Sequence, residues 1–364
     1  MSFFENQNIE LNAIEVACQN RKAQGLPLSD LTCSNPTLQG YIFPTDILKN
    51  AATQYFNSRI YDPQSKGQLK TREYIAKYYT ERGLKLSPEH IILTANTSEA
   101  YSFLFSILCA TGDNILTPAI TYPLFEFLAE YQRIQMQKNN VTQRTKALLF
   151  VSPHNPLGTV IQNRDTEIAK FNLPIICDEV FAEFVRDKKL LTPLGVYYPD
   201  LPVFHLNGIS KMFALPDLKL GWIAMNDLAL KIYGERLELL NDMFLSANSF
   251  VQAALPAIFE FGQEFKNQMV QSINTKLEQA VKLINSSKHL KVSLPEGGYY
   301  LFPQIIGLKE TEEEIVLKLI AHGVLVHPGY FYGKIELKHL ILSCLVEKQD
   351  LFNGLEKIIA GLEF

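Results

Sequence analysis

The sequence predicts an α/β protein: a mostly parallel sheet with helices on both faces, joined to a smaller α+β domain. Three observations carry this. Between about residues 50 and 230, helical stretches alternate with short apolar runs bounded by Gly, Pro or Asn, the mark of strands buried on both faces in a βαβ arrangement. Past that point the alternation stops, and helical text gives way to strand, helix and strand. Finally, 364 residues with 47% hydrophobic side chains are more than one compact core usually organises.

Taken in order, the opening segment has helical spacing through Cys18 and breaks at Gly25 and Pro27. Helices are expected over KTREYIAKYYTERG (70–83), SEAYSFLFSILCA (98–110) and PLFEFLAEYQRI (123–134). Parallel strands are expected at HIILTA (90–95), ALLFVS (147–152), PIICDEVF (174–181), PVFHLNG (202–208) and GWIAM (221–225). A long helical stretch follows from about Ala229 to Ser286, interrupted at Pro256, where the missing N–H and the ring disfavour a helix interior. GGYYLFPQI, EEEIVLKLIAHG and HLILSCL then read as strand, helix and strand. The expected division is residues 1–45 as a segment packing with the small domain, 46–245 as the large domain and 246–364 as the small domain. There is no internal repeat or low-complexity tract.

A net charge of −4 and a pI near 6.0 give no reason to expect a nucleic-acid partner. The five cysteines, Cys18, Cys33, Cys109, Cys177 and Cys344, are scattered and include no CxxC pair. That pattern fits buried thiols in a reducing compartment, not a disulfide framework or a zinc site, so no metal is expected. The start, MSFFENQNIELN, lacks a basic n-region and a long apolar run, and no apolar stretch is long enough for a membrane span. A cytoplasmic protein is expected.

In open α/β sheets the chemistry gathers where loops leave the carboxyl ends of the strands. After HIILTA comes Asn96-Thr97-Ser98-Glu99, which reads either as a plain helix cap or as an anion site at the helix N-terminus. After ALLFVS comes His154-Asn155-Pro156-Leu157-Gly158, a turn placing an Asn at a strand end. After PIIC comes Asp178-Glu179, and a buried carboxylate needs a cationic partner. After VFHLNG comes Ile209-Ser210-Lys211, with Lys219 beyond. A lysine at the mouth of a buried strand calls for a neutralised or covalently bonded amine. Each signal alone is weak. Together they supply a lysine for an imine, an acid for a pyridinium nitrogen, an Asn for a phenolate oxygen and a helix N-terminus for a phosphate. Those are the needs of pyridoxal 5′-phosphate (PLP).

In this light the sequence resembles the class I/II aminotransferases, PLP fold type I, of which aspartate aminotransferase is the type. The resemblance runs from about Ser34 to the C-terminus through YDPQSKGQLKTRE, ILTANTSEA, GDNILTPAITYP, SPHNPLG, CDEVF, GISKMFALPDLKLGW, PEGGYYLF and VHPGYFYG. The order and spacing of these segments carry it. It implies that Lys211 forms the Schiff base and shuttles the proton, that Asp178 partners the pyridine nitrogen and that Asn155 bonds the ring oxygen. It further implies that Tyr122 stacks on the ring and that Thr97, Ser98 and Ser210 hold the phosphate. Tyr61 resembles the tyrosine that reaches the neighbouring subunit's phosphate, so a homodimer with shared sites is implied.

Several positions depart from the family pattern. Phe181 stands where a tyrosine usually bonds the ring oxygen, and Lys219 where an arginine usually clamps the phosphate, keeping the charge but losing the fork. Gly208 replaces a common serine. Asn96 replaces a glycine, which a left-handed backbone would tolerate. The stretch from Tyr122 to Asn155 is short, so one crossover is expected to be trimmed. The largest departure is in His339-Leu340-Ile341-Leu342-Ser343, where Ile341 takes the place of the arginine that holds the substrate's α-carboxylate. No arginine follows Arg236, so the usual bidentate clamp is missing from that part of the chain. His339, on the same strand face as Ile341, is a candidate substitute or simply a histidine exposed at a strand start. Arg21 and Arg59 are the first places to look for another cation.

The resemblance implies a PLP-dependent aminotransferase moving an amino group from an amino acid or amine to a 2-oxo acid. Two alternatives on the same fold are a β-elimination (C–S) lyase and a non-catalytic relative. The family's regulators carry an N-terminal DNA-binding domain for which this chain leaves no room, and Lys211, Asp178 and Asn155 favour catalysis.

Overall fold

The computed structural model describes residues 10–245, 247–333 and 336–363. Residues 1–9, part of the opening segment read above, and Ser246, within the long helical stretch, lie outside it.

Among the described residues the large sheet has seven strands: β1 (Ile91–Thr94), β2 (Asn114–Leu116), β3 (Gln135–Gln137), β4 (Thr145–Val151), β5 (Ile175–Asp178), β6 (Val203–Gly208) and β7 (Gly221–Met225). Their order is β1-β7-β6-β5-β4-β2-β3. Strands β2 to β6 run parallel. GWIAM, expected to be parallel, is β7 and runs antiparallel to both β6 and β1. Gly208 pairs with Gly221, so the chain leaves β6 and returns beside it from the same end, with no crossover to restore its direction. The short strands β2 and β3 gave no distinct run in the sequence. Within the stretch where a trimmed crossover was expected, residues 138–144 join β3 to β4 without a helix.

Helices cover both faces. Alternate residues of β1 and β7 divide between two cores: Ile92, Ile223 and Met225 pack beneath α4 (Thr97–Leu108), while Ile91, Leu93, Trp222 and Ala224 face the other layer. That second layer contains α2 (Thr45–Asn57), α3 (Leu69–Glu81) and Ser249–Phe261. Completing the numbering, α1 is Ala13–Ala23, α5 is Leu124–Tyr131, α6 is Ile209–Met212, α7 is Asp227–Phe244, α8 is Ser249–Phe261 and α9 is Gln263–Ile284. α10 (Glu312–Ala321) and α11 (Lys348–Leu362) follow.

The helical stretch from Ala229 to Ser286 is thus three helices, and its breaks are not at Pro256. They fall at Leu245, which turns left-handed at φ 45°, and at Gly262. Pro256 sits inside α8. A proline frees the carbonyl four residues earlier, here that of Gln252, and the Thr71 hydroxyl of α3 fills it at 2.6 Å. α8 packs Val251, Leu255 and Ile258 into the core under the large sheet, so it lies with the large body although the division was expected after residue 245.

The second core joins Ile14 and Leu31 to α9, α10, α11 and the antiparallel strands β8 (Tyr300–Leu301), β9 (His327–Pro328) and β10 (Leu340–Ser343). Residues 29–30 pair with 324–325, and Arg21 donates to the carbonyls of Pro27 and Ala321, which ties the N-terminal segment to this body. α11, not read from the sequence, buries Leu351, Leu355, Ile358 and Leu362 there.

Candidate active site

The carboxyl ends of β1, β4, β5 and β6 open into one cavity of about 410 Å³. It is lined by Thr97, Ser98, Tyr122, Asn155, Asp178, Phe181, Ser210, Lys211 and Lys219, and by Ser34, Asn96, Tyr101, Gly208 and Tyr300. Nine of the candidate residues therefore converge from segments far apart in the chain. Tyr61, His339 and Ile341 are not among them.

At one end is the start of α4. Asn96 caps the helix by accepting the Glu99 N–H at 2.9 Å, and Glu99 returns a carboxylate to the Ala95 N–H at 2.7 Å. Asn96 is extended (φ −168°), not left-handed as its replacement of a glycine suggested. With the cap holding the Glu99 N–H, Thr97 and Ser98 sit in the first turn at the positive end of the helix dipole. Ser210 and Lys219 come from the β6–β7 connection. Lys219 is left-handed at φ 55° and exposed at the rim. Gly208 is tightly approached: a Cβ there would lie 2.7 Å from the Leu220 carbonyl, so this packing leaves no space for a serine.

Asn155 is set by a braced turn. The His154 N–H bonds the Thr159 carbonyl at 2.8 Å, and its ring bonds the Ile120 carbonyl at 3.0 Å. Gly158 (φ 70°) packs against Pro295, and its carbonyl accepts the Gly297 N–H, joining the turn to the second body. The Asn155 side-chain oxygen is buried with no hydrogen-bond partner, an unused capacity in a site where unpaired polar atoms are costly.

Asp178 ends β5 in the cavity wall. Burial pushes its carboxyl up to about 6, against donation from the Tyr101 hydroxyl (2.5 Å, to Oδ2) and the Val180 N–H (2.9 Å, to Oδ1). Lys211 lies on the single turn of α6, within 3.4 Å of the Ser34 carbonyl. Burial lowers the proton affinity of its amine, which favours the neutral, nucleophilic form. Tyr122 is partly exposed and edge-on to Phe125 at 5.9 Å. Phe181 is buried, edge-on to Tyr299 at 5.1 Å and to Tyr300 at 6.0 Å.

The cationic partner expected at Asp178-Glu179 belongs to the second residue. Arg82 meets Glu179 at 3.1 and 3.3 Å, and His205 lies 3.2 Å away. Burial pushes Glu179 up, but the guanidinium and His205 outweigh it and hold the carboxyl down at about 2.

Ile341 is fully buried in β10, opposite His327. His339 stacks on Phe302 at 4.2 Å, with its Nδ1 on the Leu337 carbonyl. Arg21 is committed to the N-terminal segment, as above. Among the described residues lining the cavity, the cations are Lys211 and Lys219.

A family model described as "Aminotransferase class I and II" matches residues 34–358. The chain belongs to this family. It is an aminotransferase, of a class whose fold is built around PLP. Over 97% of its length it is 25% identical to a (5-formylfuran-3-yl)methyl phosphate transaminase of Methanocaldococcus jannaschii, covering 96% of that protein. It is 28% identical to a glutamate-pyruvate aminotransferase of Haemophilus influenzae over 84% of this chain and 83% of that one. The solved alanine aminotransferase from Pyrococcus furiosus superposes with a TM-score of 0.88 at 21% identity, over 96% of each chain, which shows the shared fold.

Four residues that line or touch this cavity were not singled out from the sequence. Ser34 and Tyr300 line the cavity, and Tyr332 contacts both Tyr122 and Asn155. Tyr300 and Tyr332 stand in quoted segments. Tyr101 carried no signal, because a tyrosine on the buried face of a helix reads as core.

Proposed function

We propose that this cavity holds PLP on Lys211, with Asp178 at the ring nitrogen, Asn155 at the ring oxygen and Tyr122 against the ring. Thr97, Ser98, Ser210 and Lys219 would hold the phosphate. The observation that carries the reading is the convergence in one cavity of a buried lysine, a buried acid and Asn155, whose amide Nδ2 is the group able to donate to the ring oxygen. Bound PLP supplies an aldehyde for the amino group and a ring that draws electrons from the carbon bearing it. Lys211 holds or takes the proton at its Nζ. Phe181 offers only an apolar edge. The test is borohydride reduction in the presence of PLP followed by peptide mapping. The label is expected on Lys211, and a Lys211→Ala protein that is still labelled and still turns over would sink the assignment.

The donor is proposed to be an amino acid or amine and the acceptor a 2-oxo acid. With Ile341 buried and no arginine in the cavity among the described residues, the donor's carboxylate meets no guanidinium of the same subunit. A half-reaction series pairing each amino acid with its decarboxylated amine tests this. Comparable rates support it, whereas a preference for the amino acid of several orders of magnitude shows an anchor elsewhere.

A homodimer is the proposed assembly. Tyr61 is 73% exposed and lies outside its own cavity, and Leu38, Phe56, Ile60, Leu239, Met243 and Phe244 are exposed large apolar residues. Tyr61 from a second copy would complete the phosphate end and bring Arg59, exposed two residues away, with it. A monomer with full PLP affinity would refute this. No described helix is long and apolar enough to cross a membrane. A cytoplasmic setting is proposed on the free state of the five cysteines, which fits a reducing compartment.

A further inference from the structure

Asp178 is buried, and among the described residues both its hydrogen bonds come from neutral donors. Tyr101 reaches Oδ2 from α4, and the Val180 N–H reaches Oδ1 from the following turn. Two charged groups also face it: Glu179, the next residue in the chain, which opposes its charge, and Lys211 on α6, which favours it. Tyr101 is itself buried, and burial together with the neighbouring Asp178 holds its proton far more tightly than usual. Its hydroxyl is therefore a fixed donor over any working pH. It stands one helical turn beyond Thr97 and Ser98, so one rigid helix carries both the phosphate end and the donor to Asp178. Its ring packs on Phe125 at 4.9 Å and on Phe105 at 5.9 Å, contacts that phenylalanine would keep.

We propose that Tyr101 is a positioning residue, whose hydroxyl keeps Asp178 ionised and fixed to receive the protonated ring nitrogen of PLP. The proposal rests on reading the cavity as the PLP site. A carboxylate has about four acceptor positions. Tyr101 and Val180 fill two, which leaves capacity for a third donor from the cavity. Without the hydroxyl, Asp178 is more readily protonated, and a neutral acid is a poor partner for a pyridinium.

The test measures PLP affinity by titrating apo-protein between pH 5.5 and 8.5. It compares the wild type, Tyr101→Phe, Asp178→Asn and the double variant. Tyr101→Phe is expected to lose about ten- to a hundredfold in affinity at pH 7, the size of one hydrogen bond to a charged group. The loss should shrink toward pH 8.5, where the carboxylate ionises again. In the Asp178→Asn background the same change should cost less than about twofold, because the charge it serves is gone. An equal cost in both backgrounds, independent of pH, would mean that the hydroxyl only packs, and the proposal would fall. If Tyr101→Phe alone fails to fold, the double variant, which has no buried charge to satisfy, is expected to fold. Failure of both also overturns the proposal. A wild-type protein that takes up no PLP, or takes it up away from Lys211, overturns the cofactor reading itself.

Discussion

Asp178 and Glu179 are adjacent, both buried, and opposite in electrostatic fate. On the back of the strand end, Glu179 is gripped by Arg82 and His205 and held ionised at about 2. On the cavity side, Asp178 has neutral donors and stays up at about 6. An acid whose partners are complete serves the fold. An acid left partly compensated retains a capacity that a ligand's cation can use, and the folded protein bears the cost until the ligand arrives.

The harshest way to break the comparison is to remove Arg82. Arg82→Ala strands the Glu179 charge in the interior and also removes donors from the Leu191 carbonyl and the Tyr78 hydroxyl. A loss of about 3–5 kcal/mol is expected from breaking a buried pair on one side, read as a lower denaturation midpoint.

Neutralising each acid in turn sharpens the contrast, because the two changes should have opposite signs in the apo-protein. The folded-state value of Asp178 lies above its unfolded 3.8, so its contribution is present below 3.8 and lost as pH rises through about 6. Asp178→Asn is therefore expected to raise apo-protein stability at pH 7 and to bring no gain near pH 4. The folded-state value of Glu179 lies below its unfolded 4.5, so its contribution is present above 4.5 and lost as pH falls through about 2. Glu179→Gln should lower stability at pH 7. Each effect is at most about 3 kcal/mol, at ~1.4 kcal/mol per tenfold change in proton affinity. Urea titrations at pH 4 and pH 7 check both, and two changes of the same sign would end the distinction.

The smallest effect concerns the rim. Lys219→Arg restores a fork at an exposed position, and a gain of about two- to fivefold in PLP affinity is expected, weakening with salt. An unchanged affinity would mean that Lys219 contributes nothing to the phosphate end.

The sequence by itself determined the α/β class and where five of the strands lie along the chain, and it singled out Lys211, Asp178, Asn155, Thr97 and Ser98 as candidates. These candidates were legible because they follow continuous apolar runs, where a strand buried on both faces stops and polar residues begin. Tertiary structure alone decided the rest. β7 runs antiparallel because of how Gly208 meets Gly221, and Pro256 stays helical because Thr71, on another helix, fills the carbonyl it frees. The apolar text of α4 gave no hint that Tyr101 would meet Asp178, 77 residues later. Likewise nothing in CDEVF told which acid Arg82 would take. Local pattern reports what a residue is beside in the chain, whereas the charge state of a buried acid depends on donors that only folding brings within hydrogen-bonding reach.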